Sequence, residues 1–386
     1  MKGLKLVSLW GAQGYADATE RLLAALAARG VPVTWHPMHF YGVRGGLALV
    51  SAAEVAEHPL RAYWHRPVDY DTVLFWVIPH PGLRQWVELE AGRRCLLATA
   101  WETDRLPADW PPLLDQFARV LVPSTWNAAV CAASGVRAPV SVVPLLTPAP
   151  GAATDPAALA LPAGRFIFYS IGEWTGRKAF GDLLTAYWRA FRAADPVLLV
   201  LKTSRLDYTL ATERRGLRRL WRWAGTARLA LLRQRLRRLG PVAPVRLIDW
   251  HLSPAALRAL HERGDCYVSL AHGEGWGLGA AEAASQGRPV IMPGYGGPLD
   301  FLPEGVAYHV PHTVVPARGG SYEALFTPEQ RWAQADLNAA ADLLRHVATH
   351  PAEARARGAA LQAHFHRHFD PERVTDQLLR ALTMDS

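Results

Sequence analysis

The sequence predicts an α/β protein of two doubly wound parallel-sheet units, on three observations. A strand-then-helix rhythm runs through the first part of the 386-residue chain. A stretch rich in Ala, Pro and Gly at 147–164 interrupts it, and the same rhythm then restarts. Length and an apolar content of 50% allow a large buried core and make two domains the expectation.

In the first unit Leu4–Trp10 reads as an apolar strand, Gly11–Gly14 as a turn, Ala16–Arg29 as a helix stopped by Gly30, and Val31–His36 as the next strand. Further strands are expected at Thr72–Ile78, Arg94–Ala100, Val120–Pro123 and Val140–Pro144, with a helix over Thr125–Ser134. In the second unit the expected order is strand Arg165–Ile171, helix Lys178–Ala193, strands Pro196–Lys202 and Val245–Asp249, and helix Pro254–Glu262. Strand Cys266–Leu270, a Gly-rich turn, helix Gly279–Gln286 and strand Pro289–Met292 follow, and Pro328–Leu382 is helical by pattern. Two such units facing each other leave a cleft at the carboxyl ends of their strands, where α/β proteins bind ligands.

Composition removes several classes. Cys95, Cys131 and Cys266 lie far apart without C-x-x-C spacing, so neither a disulfide framework nor a zinc site is expected, and each is read as a buried small hydrophobe. The 15 histidines include no H-E-x-x-H pair, and no metal held by the protein alone is expected. No apolar run approaches the roughly 18 residues that span a bilayer, and Met1–Trp10 lacks a signal-peptide pattern. A cytoplasmic chain is the expectation. The P-loop G-x-x-x-x-G-K-[ST] and a G-x-G-x-x-G after the first strand are both missing, which argues against a P-loop NTPase and a dehydrogenase.

The net charge of +8 is local. Ten arginines and no acid fall between Arg214 and Arg238, interleaved with Leu217, Leu220, Trp221, Trp223, Leu229 and Leu232. An amphipathic hairpin of that composition suits an anionic membrane interface, on the inner face of the membrane for a cytoplasmic chain. The alternatives are an oligomer contact and a solvated helical face. Nucleic acid is not expected, for want of a recognisable binding fold.

The chemistry concentrates in two loops. After strand Cys266–Leu270 comes His272-Gly-Glu-Gly-Trp-Gly-Leu-Gly-Ala-Ala-Glu282. Its glycines let backbone approach a ligand, and the helix that follows points free N–H groups at that place. Glu282, early in that helix, could accept from two vicinal hydroxyls such as a ribose diol; Glu274, on the loop, could reach hydroxyls of a sugar. The plain alternative is a Gly-rich turn with two solvated glutamates. The second loop, Ser170-Ile-Gly-Glu-Trp-Thr-Gly-Arg-Lys178, places Arg177 and Lys178 where a helix begins. Cations there oppose the helix macrodipole unless an anion is present, so the pair suits a diphosphate whose charge grows as its bond breaks. The alternative is two exposed charges.

Glu274 and Glu282 form an E-x7-E motif, and E-G-W-G-L-G-A-A-E-A-A-S-Q-G-R-P-V resembles the family 4 retaining glycosyltransferases, whose usual form is E-G-F-G-L-P-x-x-E-A-x-A-x-G-x-P-V. Trp276 stands where Phe is usual and Gly279 where Pro is usual. At the other loop the family offers a Gly-Arg pair and then R-K-G; Arg177 and Lys178 remain, while Glu173 replaces the first arginine and Ala179 the glycine. Val245–Trp250 with Ser253–Leu257, Tyr295-Gly-Gly-Pro298 with Asp300, and the terminal helix from Pro371 resemble further family elements, so coverage runs from about residue 165 to the end.

The resemblance implies a GT-B fold: an N-terminal acceptor-binding unit at 1–155, a nucleotide-sugar-binding unit at 156–365 with the basic insertion at 205–240, and a C-terminal helix at 366–386 crossing back to the first domain. It implies a retaining, metal-independent transfer from a nucleotide-sugar co-substrate, without a resident cofactor, to a glycan, lipid-linked or small-molecule acceptor. Glu282 would bind the ribose and Glu274 the donor sugar. Gly275, Trp276, Gly277 and Leu278 would supply donor-facing backbone. Arg177 and Lys178 would hold the diphosphate, with Lys202 a weaker candidate. In the first unit the match is thinner: Gly14 would lie near diphosphate and acceptor, His80 after a strand would serve the reacting centre or be a surface histidine, and Trp101-Glu-Thr-Asp-Arg105 would read a sugar acceptor or form a capped turn with a packed Trp. A GT-B epimerase shares the fold but lacks the E-x7-E arrangement. A non-catalytic sugar-nucleotide-binding partner subunit is the serious alternative.

Overall fold

The computed structural model describes residues 1–11, 13–40, 46–148, 154–210, 226, 230–232, 242–318 and 325–384, and the chain divides into two units, Met1–Pro148 with Phe369–Ser386 and Ala149–His368. In the first, β1 (Leu4–Leu9), β2 (Val33–Phe40), β3 (Leu47–Leu49), β4 (Thr72–Trp76), β5 (Arg94–Ala98), β6 (Arg119–Val122) and β7 (Val140–Val142) form one sheet in the order β3-β2-β1-β4-β5-β6-β7. Among the described residues of this sheet only β2 and β3 pair antiparallel; the register runs Leu4 beside Val33 on one side and beside Thr72 on the other. β4 is buried at every position, as befits a parallel strand covered on both faces. The core joins Leu4, Leu6, Leu74 and Leu96 of the sheet to Leu23 and Leu26 of helix Gln13–Ala28 and to Leu378 and Leu382 of helix Pro371–Thr383. That last helix starts cleanly because Pro371 occupies its first turn and the Asp370 carboxylate accepts from the Glu372 N–H. Arg29 then clamps it, donating to Glu372 and Asp376 at 2.6 Å each.

The second unit repeats the plan. Among its described residues β8 (Phe166–Ile171), β9 (Val197–Lys202), β10 (Val245–Ile248), β11 (Cys266–Val268), β12 (Val290–Pro293) and β13 (Tyr308–Val310) form an all-parallel sheet in the order β10-β9-β8-β11-β12-β13. The order runs outward from β8 to β10 and then restarts on the other side with β11, so the two strands flanking the reversal are β8 and β11. Ligands of open α/β sheets bind beyond the carboxyl ends of such strands. Phe168, Leu199, Val268 and Ile291 pack against Leu183 and Tyr187 of helix Phe180–Ala190 and Leu344 of helix Leu337–Thr349.

Three expectations need correction. The segment Pro328–Leu382 is not helical throughout: β15 (Arg331–Ala335) pairs antiparallel with β14 (His312–Pro316), and helices begin only at Leu337, where the Asp336 side chain caps the Asn338 and Ala339 N–H groups. The helix expected from Lys178 begins at Phe180, because Ala179 takes a left-handed conformation at φ 48°. The first helix starts at Gln13, so Gly14 is in its opening turn rather than in a turn before it. Cys95, Cys131 and Cys266 are all buried and unpaired. Among the described residues no helix is long and apolar enough to cross a membrane. The arginine segment 214–238 lies outside the described residues except for Thr226 and 230–232.

Candidate functional site

The two loops that follow β8 and β11 meet beside the reversal in strand order. Glu274, on the β11 loop, is 7% exposed, and a carboxylate so buried needs partners. It has two: Arg177 Nη1 lies 3.1 Å from Oε2, and Lys178 Nζ pairs with Oε1. Arg177 also donates to the Gly273 carbonyl at 2.7 Å. The two cations and the first glutamate predicted from sequence therefore form one cluster within the second unit.

The backbone around the cluster is fixed from several sides. His272 donates its N–H to the Arg177 carbonyl at 2.8 Å, and its own carbonyl accepts from Ala333 of β15 at 2.8 Å. Its ring Nδ1 lies 2.8 Å from the Ala333 carbonyl and its face stacks on Trp332. Burial holds the His272 pKa below the usual value, so the neutral ring carries its proton on Nδ1 and donates it. On the other side the Gly297 N–H donates to the Glu274 carbonyl at 2.9 Å. Gly296 is required there: its φ is +85°, and a Cβ would lie 2.9 Å from the same carbonyl oxygen.

Electrostatics separates the carboxyls. Burial pushes Glu274 upward, but Lys178 and then Arg177 outweigh it and hold the group below the ordinary carboxylate range. For Glu173 burial wins: its pKa is raised despite Lys178, Arg177 and Lys202. Lys202, ending β9, is 6% exposed and donates to the Thr203 carbonyl at 2.8 Å. Glu173, which replaces an arginine of the family pattern, thus faces the same three cations.

Glu282 lies in helix Leu278–Ser285, which Gly277 opens in a left-handed conformation at φ 83°. Its side chain is buried, with Oε2 at 3.1 Å from His261 Nε2, so the solvated-glutamate alternative fails for both acids. Gly275 and Trp276 are buried, and Gly277 and Leu278 are half-buried. The Trp276 ring packs on Phe301, 4.8 Å between centroids; its indole belongs to the core, which explains how Trp serves where Phe is usual.

The remaining predicted residues belong to the first unit. His80 is buried rather than a surface residue, its Nδ1 accepting from the Gly82 N–H at 2.9 Å. Gly14 is exposed in its helix. Trp101 departs from the acceptor reading: it is buried edge-on against Trp110, and its Nε1 donates within its own loop to Thr103 Oγ1 and the Arg105 carbonyl, both at 2.6 Å. It is the packed Trp of a closed turn. Sequence reasoning missed His272 and His261, whose partners lie 61 and 21 residues away; no local pattern marks either.

The model of a family described as "Family 4 Glycosyltransferase in conflict systems" matches residues 217–378, a span that holds Glu274 and Glu282 but stops short of the Arg177 loop. No curated protein matches the chain by sequence. By structure the chain is similar to sucrose-phosphate synthase from Thermosynechococcus elongatus, with a TM-score of 0.67, 18% identity and 98% of each chain covered. It is similar to HepE from Anabaena in complex with UDP and glucose, at a TM-score of 0.65 and 14% identity over 99% of this chain and 100% of the other. A trehalose-6-phosphate synthase, OtsA, matches at 0.60 and 12% identity over 100% and 99%. At such identities these likenesses establish the fold, which is GT-B.

Proposed function

We propose that this chain, a GT-B protein of the family 4 glycosyltransferase type, transfers a sugar from a nucleotide-sugar donor with retention of anomeric configuration and without a metal ion. The observation that carries the reading is the Arg177–Glu274–Lys178 cluster beyond β8 and β11. Two cations on one carboxylate leave a net positive charge at the switch point of a parallel sheet, and that complements a diphosphate. That HepE is known with UDP and glucose supports a nucleotide sugar as the donor.

The chemistry follows from that allocation. Arg177 and Lys178 hold the diphosphate, and their attraction grows as the anomeric C–O bond breaks and charge collects on the departing phosphate. Glu274, kept ionised by the same cations, accepts hydrogen bonds from donor-sugar hydroxyls, and Glu282 accepts from the ribose. Both acids are thereby engaged in binding, and neither is assigned as a nucleophile that would form a covalent sugar adduct. Retention then takes the front-side route. The acceptor hydroxyl attacks from the leaving group's face, the new C–O bond forms as the old one breaks, and the hydroxyl proton passes to the departing phosphate oxygen. The cations take the part that a metal plays elsewhere, so chelators are expected to leave turnover unchanged. The acceptor is a glycan, a lipid-linked glycan or a small molecule.

Stereochemistry and kinetics test the reading. An α-linked donor is expected to give an α-linked product by NMR coupling constants; a β-linked product contradicts the mechanism. Arg177→Gln and Lys178→Gln, each leaving one cation on Glu274, are expected to lower kcat about 10²- to 10³-fold, the usual cost of removing one preorganised donor to a developing anion. A rise in KM with kcat intact contradicts a role in the transition state.

A further inference from the structure

Behind Glu282 lies a buried line of three polar side chains from three elements. Glu282 Oε2 is 3.1 Å from Nε2 of His261, in the last turn of helix Pro254–Arg263, and His261 Nδ1 is 2.9 Å from the hydroxyl of Tyr169 on β8. Tyr169 and His261 are both fully buried. A carboxylate only accepts, so Nε2 carries a proton, and in the neutral ring Nδ1 then accepts from the phenol. We propose that His261 is a positioning residue that fixes the Glu282 carboxylate in the orientation needed to receive a donor ribose.

The inference rests on the reading of Glu282 as the ribose-binding acid and deepens it. A histidine buried only for packing would be satisfied by any acceptor; this one is spent on a glutamate of the E-x7-E pair. The surroundings hold the line rigid. A Cβ on Gly264 would lie 2.2 Å from the Tyr169 ring, so the glycine after the helix lets that ring reach His261. Tyr267 packs edge-on against Tyr169, 5.4 Å between centroids. Burial, first among the influences on it, keeps the Tyr169 phenol protonated and hence a donor. A carboxylate on so rigid a donor keeps one rotamer without a ligand, and the ordering cost of ribose binding is already met.

The test measures Kd by calorimetry for the nucleoside diphosphate that binds wild type best among UDP, GDP and ADP, and for its 2′,3′-dideoxy analogue. Wild type is expected to prefer the ribose form. His261→Leu should lose that preference, about tenfold or more in Kd as for a hydrogen bond to a charged group, while its affinity for the dideoxy analogue stays unchanged. His261→Gln, which restores an N–H near the Nε2 position, should recover most of the preference. Equal losses on both nucleotides in His261→Leu, or no recovery in His261→Gln, would mean general damage to the fold and overturn the proposal. If Glu282→Ala loses the preference while His261→Leu keeps it, His261 is not the positioning residue although the ribose reading stands. If Glu282→Ala keeps it, or wild type binds none of the three nucleotides, the ribose reading fails and this inference with it.

Discussion

Ala179 shows how one residue records a sequence departure. The family pattern has glycine there, and the structure places Ala179 at φ 48°, ψ 38°, immediately before helix Phe180–Ala190. A left-handed L-residue costs roughly 1–2 kcal/mol, offset in part by the greater unfolded-state freedom of glycine. Ala179→Gly is therefore expected to raise the urea midpoint by an amount worth up to about 1 kcal/mol; a lower midpoint would contradict the strain. Glu274 carries a pH signature. Its pKa is held below its value of 4.5 in the unfolded chain, so its contribution is complete above that pH and is lost as pH falls through the folded value. Wild type should lose Tm more steeply than Glu274→Gln as pH falls below 4.5, and parallel slopes would contradict the assignment. Both glutamates and both cations were legible because each motif is contiguous in sequence. Their partners His261 and His272 were not, because those contacts are made by the fold across distant segments.

At the scale of elements, most buried strands were legible by their apolar runs, with ends misplaced by one or two residues; β2 runs four residues past the expected end at His36, and the short strands β3 and β13 were not anticipated. The β14–β15 hairpin was missed. Its strands exist by pairing with each other across the segment 317–330, and Arg331–Ala335 is short and alternates too weakly to announce itself before a strong helical pattern. Yet the hairpin supports the site, since Trp332 stacks on His272 and Ala333 holds both the backbone and the ring of His272. Trp332→Ala removes a side chain that is 2% exposed and is expected to cost about 3–5 kcal/mol in denaturant unfolding. A loss within error of zero would show that the hairpin is peripheral to the unit.

For the whole molecule, the interrupted and restarted rhythm announced two doubly wound units, and the comparisons agree on GT-B. What local patterning could not give is the strand order, which comes from the topology and places the Arg177 and Glu274 loops on adjacent strands. The +8 charge adds a separate expectation, since it resides in 214–238. Liposomes with anionic lipid should retain the protein at low salt and release it as salt rises, at about 1 kcal/mol per basic residue near the surface; equal retention on neutral liposomes would contradict it. The central claim, sugar transfer from a nucleotide sugar by this cluster, is tested most directly by incubating the protein with a panel of UDP-, GDP- and ADP-sugars in the presence of a chelator and measuring nucleoside diphosphate release. Release from at least one donor, lost in Arg177→Gln, is the predicted result; no release from any donor, or release abolished by the chelator in wild type, would contradict the account.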